Sequence, residues 1–84
     1  LGQLVAGVAH EINNPINFIH GNIIHADQYA RDLLALVQLY QTAYPDPVPA
    51  IQDQSEAIDL PFLSQDLPKL LSSMQVGTDR IRGI

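Results

Sequence analysis

The sequence predicts an all-α fold, an antiparallel helical hairpin that dimerises into a four-helix bundle. Three observations carry this reading. Apolar residues recur at steps of three and four through the first half of the chain and again through its last third. One proline-rich stretch, Tyr44-Pro45-Asp46-Pro47-Val48-Pro49, separates the two runs. The composition is aliphatic, 46% hydrophobic with 6% aromatic, and 84 residues suffice for one small domain spanning 1–84.

The first helix is expected over about 1–44. Its seam runs Leu1, Val5, Val8, Ile12, Pro15, Ile19, Ile23, Ala26, Ala30, Leu33, Val37, Tyr40 and Tyr44, with one extra step of four at Ile19 to Ile23. At 1.5 Å per residue such a rod is about 65 Å long. Pro15 falls inside it and removes one backbone hydrogen bond, which predicts a kink or loosening there; the competing reading is a break that divides the element. The turn at 45–49 holds the chain extended, and Pro49 suits the first turn of a following helix.

The second helix is expected over about 50–84, with a bend near 59–68 where Pro61 and Pro68 intervene. From Leu63 the pattern is a strict heptad through Leu67, Leu70, Met74, Gly77, Ile81 and Ile84. A start at Leu63 is the alternative, and Asp66 with Pro68 could open a fresh helix there. Gly77 on the seam either lets two helices approach closely or is a tolerated flaw. A start near Ala50 brings Ile84 level with His10, whereas a start near Leu63 brings it only to Asn22. Two helices cannot enclose a core, and the economical solution is a homodimer of hairpins.

Several classes are excluded or disfavoured. A net charge of −5, with Arg31, Lys69, Arg80 and Arg82 the only basic residues, argues against nucleic-acid binding. No apolar run approaches a membrane span and no signal peptide is present. The absence of cysteine removes disulfides and thiolate metal sites, and fits a cytosolic protein. The chain begins and ends inside apparent helices, which suggests a piece of something longer.

The stretch with chemistry is Val8-Ala9-His10-Glu11-Ile12-Asn13-Asn14-Pro15. With His10 set at zero on a helical wheel, Gln3, Asn14, Asn17 and Gly21 lie within roughly 40° of it, while Leu4, Val8, Ile12, Ile16 and Ile23 lie roughly 120–240° away. His10 is therefore on a polar face with an apolar face behind it. An imidazole is nucleophilic near neutral pH and can take a phosphoryl group. Glu11 can hydrogen-bond the second ring nitrogen. Asn14, one turn on, can hold a water in line with a phosphoryl group. Asn13 and Asn17 read as solvated, and Tyr29, Tyr40 and Tyr44 as half-buried packing residues. His20 and His25 are badly spaced for ligation from one helix face, and no metal site is expected; the zinc-protease pattern would need a histidine at Asn14.

Gly2-Gln3-Leu4-Val5-Ala6-Gly7-Val8-Ala9-His10-Glu11-Ile12-Asn13-Asn14-Pro15-Ile16 resembles the H-box of sensor histidine kinases of two-component systems, in their dimerisation and histidine-phosphotransfer (HisKA-like) domain. Val76-Gly77-Thr78-Asp79-Arg80-Ile81-Arg82 resembles, more weakly, the second helix of that domain. The resemblance implies His10 as phosphoacceptor, Glu11 as acid/base, and Asn14 in phosphatase activity toward the phosphorylated partner. It implies a homodimer, a response-regulator receiver domain as partner, and a separate catalytic domain beyond Ile84 that binds ATP and Mg. This chain has no glycine-rich phosphate loop and is expected to bind no cofactor itself. Pro15 would act as a hinge between kinase and phosphatase states. The rival from another class is a purely structural dimerisation module. A one-chain phosphotransfer bundle needs more helices and a different motif after the histidine.

Overall fold

The computed structural model describes residues 2–83, with side chains from Val5 onward; Leu1 and Ile84, and the side chains of Gln3 and Leu4, lie outside the described residues. Three helices and no strand are present among them: α1 (Gly2–Ala43), α2 (Pro49–Ala57) and α3 (Leu60–Arg82). The chain forms a rod measuring 66 × 20 × 16 Å. α1 and α3 pack along their length, and α2 approaches only α3.

Local chemistry places each boundary. α1 contains Pro15 and runs through it without division. It closes with Tyr44 N–H bonded to Tyr40 O at 2.8 Å, directly before Pro45, which disfavours helical torsions at the preceding residue. Val48 is extended, with φ −62° and ψ 156°, and Pro49 opens α2 where a missing N–H costs nothing. α2 ends after nine residues. Asp59 then adopts left-handed torsions, φ 51° and ψ 63°, the one positive φ among the described residues. Aspartate tolerates this region better than most residues. Asp59 also supplies the carbonyl that receives Leu63 N–H at 3.0 Å, so one residue both ends α2 and starts α3. Pro61 falls in the first turn of α3. Pro68 lies inside α3 without ending it, so Asp66 is mid-helix and not the cap of a fresh start.

The seam between α1 and α3 differs from the apolar stripe that the spacing suggests. On α1 the shielded residues are Gly21 and the set Asn13, Ile16, His20, Ile23, Asp27, Ala30, Leu34 and Val37, the set forming a heptad register with strictly alternating steps of three and four. One heptad position carries Ile16, Ile23, Ala30 and Val37; the other carries Asn13, His20, Asp27 and Leu34. On α3 the shielded residues include Leu60, Leu63, Ser64, Leu67, Leu71, Gln75 and Thr78. Of the apolar side chains among the described residues, only Ile23 and Leu71 are buried. The stripe expected to be the seam overlaps this one at Ile23, Ala30 and Val37 on α1 and at Leu63 and Leu67 on α3; Val5, Val8, Ile12, Ile19, Leu33 and Tyr40 on α1, and Leu70, Met74 and Ile81 on α3, are exposed. Tyr29, Tyr40 and Tyr44 are 64%, 61% and 70% exposed, not half-buried, because they too lie off the seam. Gly77 makes no close approach within the chain, since a Cβ there would meet nothing within 4 Å.

The fold is consequently under-buried. Its accessible surface is 6849 Å². A compact protein of 9.2 kDa exposes roughly 4,900 Å². Part of the excess of roughly 1,900 Å² is the elongated shape, and part is the uncovered apolar stripe.

Candidate functional site

His10, Glu11, Asn14 and Pro15 are all solvent-exposed on α1. Helical geometry sets His10 and Asn14 about 6 Å apart along the axis on one face. Behind them Val5, Val8, Ala9 and Ile12 line a shallow apolar depression on the opposite side of the helix. Pro15 contributes no N–H, so the carbonyl of Glu11, one turn before it, lacks its usual helical partner beside the histidine. The imidazole, the carboxylate, the amide and a loosened backbone turn thus share one open surface that any incoming group can reach.

The register of the hairpin determines how open that surface is. Arg82 Nε donates to Asn17 Oδ1 at 2.9 Å, and His20 meets Thr78 at 2.7 Å, so α3 draws level with α1 near Asn17 at its Arg82 end. By this register His10 lies about 10 Å beyond Arg82 along the bundle axis. The count from Ala50 placed the return about one turn too far along. The proline segment and the joint at Asp59 consume length that a straight second helix would have contributed, and α2 stands off α1 across a groove lined by Val37, Tyr40, Tyr44, Ile51 and Leu60. Every described side chain from Val5 to Ile12, His10 included, is exposed.

Of the flanking amides, Asn13 is half-buried, while Asn17 is exposed and accepts a hydrogen bond from Arg82. Below Asn14 the outer face continues through exposed Phe18, His25 and Tyr29, with the His25 and Tyr29 rings stacked at 6.3 Å. Among the described residues no three His, Asp or Glu side chains converge as a metal site requires.

Sequence reasoning passed over His20. Its ring lies between α1 and α3, against Thr78 and Asp79. The available signal was the alternating register from Asn13 to Val37, which becomes visible only when polar residues are admitted to a seam.

Set against protein-family models, curated proteins and solved structures, the chain matches none of them. No described helix is long and apolar enough to cross a membrane.

Proposed function

We propose that this chain is the dimerisation and phosphoacceptor domain of a cytoplasmic sensor histidine kinase. The observation that carries the reading is the placement of His10: exposed on an unbroken helix, with Glu11 and Asn14 beside it and an uncovered apolar face behind it. Two hairpins pair through Val5, Val8, Ile12, Leu33, Leu70, Met74 and Ile81 into a four-helix bundle. The roughly 1,900 Å² of excess surface per chain is of the size that an obligate dimer covers.

A separate catalytic domain holding ATP and Mg presents the γ-phosphoryl group to His10. An unprotonated ring nitrogen attacks the phosphorus; the N–P bond forms, the bond to the bridging oxygen breaks, and ADP leaves. Glu11 accepts a hydrogen bond from the other ring N–H and stabilises the positive ring. An aspartate carboxylate of a response-regulator receiver domain then attacks the phosphorus, the N–P bond breaks, and the imidazole is restored. Exposed Phe18 below Asn14 supports docking of that receiver on the same face. Asn14 orients the water that later hydrolyses the acyl phosphate. Pro15 and the free carbonyl it leaves soften the helix at the point where the two activities exchange.

The uncovered apolar face also favours a second reading, a dimerisation module with no phosphoryl chemistry. Incubation with the parent kinase's catalytic domain and labelled ATP separates the two. The expected result is acid-labile, base-stable phosphate on the wild type and none on His10→Gln; equal labelling, or none on a folded dimer, overturns the phosphoacceptor reading. In the same system, with receiver added, Pro15→Ala should alter the ratio of transfer to dephosphorylation, and an unchanged ratio removes the hinge role.

A further inference from the structure

The polar joint in the α1–α3 seam has no part in the chemistry proposed for His10. The His20 side chain is 14% exposed, with Nε2 3.4 Å from Asp79 Oδ1. Its Nδ1 lies 2.7 Å from Thr78 Oγ1. Thr78 is buried, and its hydroxyl also lies 3.2 Å from Met74 O and 3.1 Å from Gln75 O. A hydroxyl has one hydrogen. Directed at a carbonyl of its own helix, that hydrogen leaves Oγ1 an acceptor, and Nδ1–H must donate to it. Nε2 then faces a carboxylate oxygen, and only a second ring proton makes that approach attractive. In that hydroxyl orientation both ring nitrogens face acceptors, the arrangement that suits an imidazolium.

The surrounding charges are few. On α3, Asp79 faces the ring, and Arg82 Nη1 stands 3.6 Å from Asp79 on the same helix. On α1, the neighbours one turn away are Ile16, Asn17, Ile23 and Ile24, none of which titrates. His20, Asn17, Thr78, Asp79 and Arg82 together make the side-chain hydrogen bonds and ion pairs that join α1 to α3 among the described residues.

We propose that His20 is a proton-operated clasp that fastens the last two turns of α3 to α1 directly below Asn14 and Pro15. When the ring loses a proton, the ion pair with Asp79 loses its positive partner. A neutral ring can keep both neighbours only with Nε2–H on Asp79 and the Thr78 hydroxyl turned from its own helix's carbonyls to Nδ1, which leaves an uncharged and weaker joint. The sign follows: the clasp is closed while His20 is charged and loosens when rising pH leaves the ring neutral. His10 and His25, exposed and without such partners, serve as internal controls.

The test is hydrogen exchange on the full chain at pH 5.5 and 8, with rates corrected for intrinsic exchange. Protection of amides 75–83 is expected to fall about threefold or more relative to those near Val37, a modest change because Asp79 is largely solvent-exposed. His20→Gln should abolish the difference, while His10→Gln and His25→Gln retain it. Asp79→Asn alters an exposed side chain and leaves the seam filled, so it tests the same contact if His20→Gln fails to fold. A pH-independent wild type, or a response of wild-type size in Asp79→Asn, overturns the clasp whatever chemistry His10 performs.

Discussion

The two faces of α1 invert the usual arrangement. The face packed within the chain alternates aliphatic residues with Asn13, His20 and Asp27, whereas the face open to solvent carries Val5, Val8, Ile12, Ile19 and Leu33. A half-polar seam stabilises a hairpin weakly but constrains its register, since a slip of one turn would part His20 from Thr78 and Asp79. A continuous apolar face does the opposite: it offers much area and little orientation. The hairpin contact specifies how the chain pairs with itself, and the open face holds the apolar area that this pairing leaves uncovered.

The largest effect expected from this contrast is on the two buried aliphatics. Ile23→Ala or Leu71→Ala truncates one of the two buried apolar side chains among the described residues and should cost about 2–4 kcal/mol, enough to abolish a cooperative thermal transition in so small a core. Circular-dichroism melts measure it; a loss below about 1 kcal/mol would show that the α1–α3 seam is not the stabilising contact. Next is the open face. Ile12→Glu combined with Leu70→Glu, each 50% exposed or more, should leave α1–α3 packing intact within the chain and shift the mass in sedimentation from dimer to monomer. An unchanged dimer would relocate the interface. The smallest effect concerns Asp27. Its Oδ1 is buried without a hydrogen-bond partner, although Arg31 Nε reaches Oδ2 at 3.0 Å. Asp27→Leu should raise stability by about 1 kcal/mol, read from the midpoint of urea unfolding; a fall would mean that the Asp27–Arg31 pair outweighs the orphaned oxygen.

Much of the helical framework can be read from the residues themselves. The prolines from Pro45 to Pro49 declare the turn, and the periodicity through Pro15 declares a helix that continues past it. The faces are harder. A seam is sought by its apolar residues, and on α1 the most apolar stripe belongs to a surface that one chain leaves open. His20 shows the limit: between Ile19 and Gly21 nothing marks it as an interhelical residue, because its partners Thr78 and Asp79 are brought to it by a register that depends on the Asp59 joint. The exposure of His10 and Asn14 was legible, since it needs only the wheel and no tertiary contact. The extra length of α1 beyond α3 was not, since it depends on how much chain the turn consumes.

That turn also sets the order in which the hairpin assembles. Near the groove, α1 and α3 meet through residues close in sequence, such as Val37 and Leu60, whereas His20 and Thr78 are 58 positions apart. Closing the short loop first makes every later contact a small addition, so the two helices zip from the proline turn toward Asn17. Unzipping runs the other way and begins beside the exposed histidine. Whatever reaches His10 therefore meets the least cooperative end of the molecule, where a helix can be bent or lifted without disturbing the pairing behind it.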